Sequence, residues 1–400
     1  MKKSDSRKIG DSVIISLNSL MNTKCRILFG GGLTINPDGR ILLCCASTKK
    51  ELAHISDIDN LLDFFNSSLL NEIRNTMESG SLPDEWCYSC IRKRTDNQTA
   101  PIDDWVLRQL SPPEENQKTY QIKFLEFAPS NICNQTCVMC GSVYSSKWVE
   151  WDKEAVNRGM TFRNSWRDRN RIREMKVHSM SKEDLQKIYD VLPTVERIHL
   201  KGGEPFADNR NYDLMQHCLQ LENPPVITAT TNFALMTDKF MDIICDYPNF
   251  YMSVSIDGTN KLYEWVRGSS YQRTINNLKM FMASTGKKPI ISCTPNLFTL
   301  YSLDTYLQEM KDLGIERLQF NYCGSPNYVS VEADENIEFY NNKYKEFLQT
   351  FEGIQIGRPE YLYTRKYNNV EKHKVTSWID FMNEKRGFDV REIVPELSKF

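Results

Sequence analysis

The chain has 400 residues, a formal charge of −2, 26% charged residues and 40% hydrophobic residues. That length buries a full core with room for two or three domains, and the near-neutral balance excludes a global pull toward nucleic acid or anionic lipid. An aromatic share of 11% fits a globular enzyme in water. The N-terminus, Met1-Lys-Lys-Ser-Asp, starts like a secretory leader, but the apolar stretch Val13 to Leu17 is too short for one and no small-residue cleavage site follows. No apolar run reaches membrane-spanning length. A cytoplasmic location without membrane contact is the expectation.

In chain order, Cys25-Arg-Ile-Leu-Phe leads through three glycines into two β-rich runs that flank Asn36-Pro37-Asp38-Gly39. Proline sets the first turn dihedral and glycine takes the positive φ, which predicts a hairpin. The hairpin brings Cys44 back toward a strand carrying Cys25. Residues 55–79 show Ile58, Leu61, Leu62, Phe65, Leu69, Leu70 and Ile73 at helical spacing, with Gly80 as a stop. Cys87-Tyr-Ser-Cys90 follows. Residues 1–94 thus form a small α+β domain, and the polar, proline-bearing stretch 95–119 reads as a linker.

From residue 120 the pattern changes to alternating units. Strands are predicted at 121–127, 195–201, 226–231, 250–256, 289–294 and 316–322, with helices at 182–191, 209–221, 237–246, 271–285 and 302–313. Such alternation gives a parallel sheet. The expected fold is α/β: a partial (βα)6 TIM-like barrel over residues 120–325, with chemistry at the strands' C-terminal ends. Residues 326–400, with Tyr361, Tyr363, Trp378 and Phe381, read as an extension packing on that core. The segment Arg158–Lys176 is rich in arginine; it reads either as a strip for a phosphate-bearing substrate or nucleic acid, or as a solvated helix face.

Twelve cysteines are many for a reducing compartment, where disulfides are rare and clustered thiols point to metal or redox chemistry. Cys218, Cys245, Cys293 and Cys323 are scattered and read as small buried hydrophobes. Cys323, near the end of the last strand, is also a candidate for contact with substrate. The central three stand in Cys133-Asn-Gln-Thr-Cys137-Val-Met-Cys140, directly after the first strand. Three thiolates wrap one face of a compact centre, and the loop offers no fourth. A structural zinc site wants four protein ligands and a plain electron-transfer cluster wants four cysteines. A three-thiolate [4Fe–4S] cluster leaves one iron open to an outside molecule. The second strand ends in Gly202-Gly203-Glu204-Pro205, where glycines admit close backbone approach and Glu204 offers a carboxylate to an ammonium group. For Cys25, Cys44, Cys87 and Cys90 two readings stand: a zinc ribbon or a four-thiolate auxiliary iron–sulfur cluster. Cys45 is left over.

A C-x3-C-x2-C run after the first strand, with Gly-Gly-Glu-Pro after the second, resembles the radical S-adenosylmethionine (radical SAM) superfamily over about residues 120–325. The resemblance implies that Cys133, Cys137 and Cys140 hold a [4Fe–4S] cluster whose open iron is chelated by S-adenosylmethionine. It implies further that Gly202, Gly203 and Glu204 receive the methionine amino group. Ser255 and Asp257, in Ser253-Val-Ser255-Ile-Asp257-Gly258, would lie near the cofactor, and Arg267 would meet the methionine carboxylate. Asn232 stands where relatives carry Thr-Asn-Gly, with Phe233 in place of the glycine, and Met139 stands where they carry an aromatic. The first-quarter cysteines resemble the auxiliary-cluster subdomain called twitch, a short form of the SPASM domain. That resemblance turns the zinc-or-iron choice toward a second [4Fe–4S] cluster. The implied activity is reductive cleavage of S-adenosylmethionine to a 5′-deoxyadenosyl radical that takes hydrogen from a substrate, a peptide or protein by analogy. A small phosphorylated metabolite or nucleotide is the alternative, and a non-catalytic iron–sulfur or zinc protein is the rival from another class. A reducing partner such as flavodoxin or ferredoxin is expected.

Overall fold

The computed structural model describes residues 23–47, 50–95, 118–160 and 175–400. The leader stretch Val13 to Leu17, nearly all of the linker 95–119 and most of Arg158–Lys176 lie outside the described residues. The chain forms two compact units. One comprises Met1–Pro129, Met180–His199 and Cys218–Val226; the other comprises Ser130–Ser179, Leu200–His217 and Ile227–Phe400.

In the first unit the strands are β1 (Gly32–Ile35), β2 (Arg40–Leu42), β3 (Ala53–His54), β4 (Phe124–Phe127) and β5 (Arg197–Leu200), lying in the order β3-β2-β1-β4-β5. The predicted hairpin is present. β1 and β2 pair antiparallel with Ile35 opposite Ile41, and Gly39 takes a φ of +83°. Arg40 Nε donates to Asp38 Oδ2 at 2.7 Å across the turn. β1 also pairs parallel with β4, Gly32 against Phe124 through Ile35 against Phe127. Cys25 differs from expectation. It is not on a strand but precedes the short helix Arg26–Phe29 as its N-cap.

The helix expected over 55–79 is three pieces: a turn Ile55–Asp57 and helices Leu61–Phe65 and Ser68–Glu78. A side-chain cap at Asn60 and an extended residue at Ser67 cut it. Asn60 Oδ1 accepts from the backbone of Leu62 and Asp63 at 2.8 and 2.9 Å, starting a new helix. Ser67 adopts an extended conformation before the next one. Cys87 and Cys90 sit on the helix Asp84–Thr95 rather than in a loop, one turn apart on its buried side.

In the second unit β6 (Val226–Thr231), β7 (Phe250–Ser255), β8 (Ile290–Cys293), β9 (Arg317–Phe320) and β10 (Gln355–Gly357) run in that order. All neighbours are parallel. The helices Asp238–Asp246, Tyr271–Thr285 and Leu303–Asp312 fall where the alternation puts them. Ser270 Oγ caps the second by accepting from the Arg273 backbone at 3.3 Å, and Gly286 ends it at a φ of +66°. β10 was not foreseen; Gln355-Ile-Gly is too short to carry an alternating pattern. The strand order does not close on itself, so the fold is mixed α/β with an open parallel sheet, a partial barrel.

The C-terminal helix Lys372–Arg386 buries Val375, Trp378, Ile379, Phe381 and Met382. Trp378 stacks on Trp148 at 5.6 Å with planes 17° apart, and Phe381 stacks on its other side at 5.7 Å. Fully burying a large side chain of this kind is worth about 1.5–3 kcal/mol. Cys323 belongs to this core, 5% exposed beside Tyr328 and Trp378. No helix among the described residues is long and apolar enough to cross a membrane.

Candidate active site

The segment after β4 is fixed before any thiol is considered. Asn131, fully buried, donates from Nδ2 to the carbonyls of Ser142 and Lys176 at 2.8 and 3.0 Å. Its Oδ1 accepts from the backbone of His178 at 2.8 Å. Gln135, in the spacer between the first two cysteines, donates to Tyr263 Oη at 3.2 Å and to Ser269 Oγ at 2.5 Å. Its carbonyl accepts from Ser145 Oγ at 2.7 Å. Trp148 Nε1 donates to the Cys137 carbonyl at 3.1 Å, and the Val138 backbone donates to the Val266 carbonyl at 2.9 Å. The loop is therefore held by the helices Trp148–Asn157 and Asn260–Arg267. A loop tied this way keeps its side chains aimed at one side.

That side is a cavity of about 240 Å³ lined by Cys133, Cys137, Cys140, Gly202, Gly203, Glu204, Asn232, Ser255 and Arg267. Nine residues singled out in the sequence thus meet in one place. Met139 lines it as well, as do Tyr144 and Lys201. Burial pushes the Cys133 and Cys137 thiols up; at Cys133 the neighbouring Cys137 and Glu204 add to it, and at Cys137 Arg267 and Arg386 oppose it.

The Gly-Gly-Glu segment is shaped by steric demand. A Cβ on Gly203 would stand 2.0 Å from the Ile132 carbonyl oxygen, so only glycine lets this turn lie against the cysteine loop. The Glu204 backbone donates to that same carbonyl at 2.8 Å. Glu204 is 2% exposed. Thr231 Oγ1 donates to its Oε1, and the Asn232 backbone donates to its Oε2 at 2.7 Å. Burial raises its pKa to about 7, against the pull of these donors. A carboxyl held so, at the wall of a cavity, is ready for a cationic group.

Asn232 Nδ2 donates to Asn134 Oδ1 at 2.8 Å and lies 4.0 Å from Cys133 Sγ. The next residue, Phe233, takes a φ of +55°, the left-handed region that favours glycine. Its backbone donates to Thr231 Oγ1 at 2.9 Å, and its buried ring meets Phe206 and Phe281 edge-on at 6.1 Å each. Ring packing holds what the backbone alone resists.

Two residues named in the sequence are elsewhere. Asp257 does not line the cavity. It is fully buried, accepts from the Thr294 backbone at 2.6 Å and faces Arg267, whose Nη2 is 2.6 Å from its Oδ2. Burial raises the Asp257 pKa, and Arg267, the Thr294 backbone and Cys293 pull the other way; the carboxylate supports the arginine. Arg267 Nη1 in turn lies 3.7 Å from Cys137 Sγ. Cys323 is packed in the aromatic core, where burial pushes its thiol up to about 12; it does not reach the cavity. Asn131 and Gln135 were missed. Their only signal is their position beside the cysteines, with asparagine at a turn.

In the first unit, Cys25, Cys87 and Cys90 are buried and Cys44 is half-buried, while Cys45 is exposed. Burial raises the Cys44 thiol strongly, with Cys25, Cys45 and Cys90 adding to it. Burial and then Cys25 and Cys90 push Cys87 up to about 12. Cys25 and Cys90 thus each act electrostatically on both Cys44 and Cys87. Among the described residues no three His, Cys, Asp or Glu side chains converge tightly enough for a single metal ion.

Residues 127–294 match the radical SAM superfamily. No match was found among curated protein sequences. Among solved structures, Streptococcus suis SuiB bound to the precursor peptide SuiA is 16% identical, with a TM-score of 0.39; the match covers 59% of this chain and 48% of SuiB. Native anSMEcpe with bound AdoMet and Cp18Cys peptide is 18% identical at a TM-score of 0.42, covering 58% and 62%. A radical SAM methyltransferase from Sphaerobacter thermophilus is 13% identical at 0.30, covering 54% and 58%. The chain therefore spans about half the length of SuiB. The family implies a [4Fe–4S] cluster and S-adenosylmethionine. Residues 127–294 of this chain are thus a domain of the radical SAM superfamily.

Proposed function

We propose that Cys133, Cys137 and Cys140 hold a [4Fe–4S] cluster with one open iron, and that the cavity beside them takes S-adenosylmethionine. The observation that carries this is the lining itself, three thiols and a preset carboxyl in one cavity. When bound, the pair supplies one-electron cleavage of the sulfonium carbon–sulfur bond, giving methionine and a 5′-deoxyadenosyl radical that takes a hydrogen atom from substrate. The protein's own share is placement. Glu204 would receive the ammonium group, together with the backbone around Gly202 and Gly203. Ser255 and Asn232, which line the same cavity, would contact the cofactor, and Met139 would offer a polarizable face. Arg267, held by Asp257, would meet the methionine carboxylate. Tyr144 and Lys201 line the same cavity.

Cys25, Cys44, Cys87 and Cys90 are proposed to hold a second [4Fe–4S] cluster in an N-terminal auxiliary domain, residues 1–94, joined by the linker 95–119 to the core 120–325 and its extension 326–400. The proximity of Cys25 and Cys90 to both Cys44 and Cys87, within one compact unit, supports it. With such a domain a peptide or protein is the proposed substrate, and a flavodoxin or ferredoxin in the cytoplasm the proposed electron source. Anaerobic incubation of reduced protein with S-adenosylmethionine and separate peptide and nucleotide pools tests the reading. Deoxyadenosine release dependent on a peptide pool is expected; release dependent on the nucleotide pool alone would overturn the peptide assignment. No release, even uncoupled, would overturn the cleavage activity.

A further inference from the structure

The C-terminal helix ends in an arginine whose charge is directed away from its own helix. A cation in a last turn ordinarily meets that helix's free carbonyls. Arg386 instead reaches across to the cysteine loop. Its Nη1 donates to Thr136 Oγ1 and its Nη2 to the Thr136 carbonyl, both at 2.6 Å. Its Nε donates to the Trp265 carbonyl at 2.8 Å. One planar fork thus ties the residue next to Cys137 to the helix that carries Arg267. Gly268 makes the room: a Cβ there would stand 2.6 Å from Arg386 Nη1. The base of the fork is itself anchored. Lys385 Nζ lies 2.7 Å from Glu154 Oε2 and Arg158 Nη1 lies 2.6 Å from Glu384 Oε2, while Trp378 stacks on Trp148.

Cys137 consequently has two guanidinium groups beside it, Arg267 at 3.7 Å and Arg386 acting through the loop. Burial lowers Arg386 to about 10, so it keeps its charge at neutral pH. We propose that Arg386 is a positioning residue of the radical centre, which locks the cysteine loop to the Arg267 helix and raises the reduction potential of the cluster by its buried positive charge. This rests on the three-thiol reading above. It places residues outside the 127–294 match in the chemistry. Fixed positive charge close to a cluster eases the addition of an electron, and burial strengthens that attraction, so loss of the charge disfavours reduction.

The test uses full-length wild type, R386K and R386M, reconstituted anaerobically with iron and sulfide. The reduced-cluster electron paramagnetic resonance signal that changes on adding S-adenosylmethionine is titrated against potential. Expected are full iron uptake in R386K, a midpoint more negative than wild type in R386M, and a midpoint returned most of the way to wild type in R386K. Identical midpoints in all three proteins would overturn the proposal, since a merely structural contact leaves the potential unmoved. An R386K midpoint as low as that of R386M would also overturn it. If R386M does not fold, R386Q takes its place; it removes the charge but keeps an amide donor for the Thr136 carbonyl. A midpoint below wild type in R386Q supports the proposal and a wild-type midpoint overturns it. A wild type with no S-adenosylmethionine-responsive signal would instead overturn the underlying cluster reading.

Discussion

Glu204 carries the most direct residue-level consequence. Its pKa of about 7 belongs to the ligand-free protein and arises from burial. An ammonium ligand selects the ionised carboxylate, so below that pH binding must release a proton. Affinity for S-adenosylmethionine is predicted to rise with pH up to about 7 and then level, by at most about tenfold per unit on the rising limb. Titration calorimetry from pH 5.5 to 8 checks it. Glu204→Gln should weaken binding by about 10- to 100-fold, the loss of one charge-assisted contact, flatten that pH dependence and leave iron uptake intact. Phe233 gives a second residue-level prediction. Replacing it with glycine relieves the left-handed strain, about 1 kcal/mol, but removes a fully buried ring worth about 3–5 kcal/mol. Urea unfolding should show a net loss of about 2–4 kcal/mol, against the expectation from backbone preference alone. The motif residues were legible because their chemistry is dictated locally: thiols at fixed spacing, glycine where a carbonyl presses in. Asp257 was legible as part of a motif but not as a support, since its partner Arg267 is reached only through the fold.

At the scale of elements, the turn around Gly203 and the cysteine loop behave as one piece. Gly203→Ala places a methyl on the Ile132 carbonyl, and neither backbone can yield without moving Cys133. Both S-adenosylmethionine affinity and iron content should fall together; iron analysis beside calorimetry decides, and loss of one alone would show the two loops to be independent. Asn131→Ala removes three backbone ties. It should cost about 1–3 kcal/mol and reduce iron retention on gel filtration. The strands of the second unit were readable because alternating strand and helix periods rarely mimic one another. The break in the helix over 55–79 was not, because Asn60 caps a new helix, and Ser67 turns extended before the next, only once the chain around them has turned. Cys87 and Cys90 looked like a knuckle and are a helical pair; C-x2-C fits both geometries.

For the whole molecule, the metal content separates the two proposed clusters. Wild type should hold about eight irons per chain after anaerobic reconstitution, and Cys87→Ala with Cys90→Ala should halve that. An unchanged count would remove the auxiliary cluster, and zinc at one equivalent would assign a ribbon instead. Each cysteine set lies within one compact unit, so each loss should be confined to its own centre. The fold class was legible from the strand–helix alternation. The interlock of the C-terminal helix with the cysteine loop was not, because Arg386 and Thr136 are 250 residues apart and nothing local to either announces the other.

The stacked indoles of Trp148 and Trp378 bear on how this enzyme can be dissected. A fragment trimmed to residues 127–294 would keep the thiols and the glutamate yet present a bare tryptophan face to solvent and leave the Thr136 carbonyl without its guanidinium donors. Such a piece should aggregate rather than fold. The catalytic module is therefore longer than the recognisable family segment, and its last turns are as much a part of it as its cysteines.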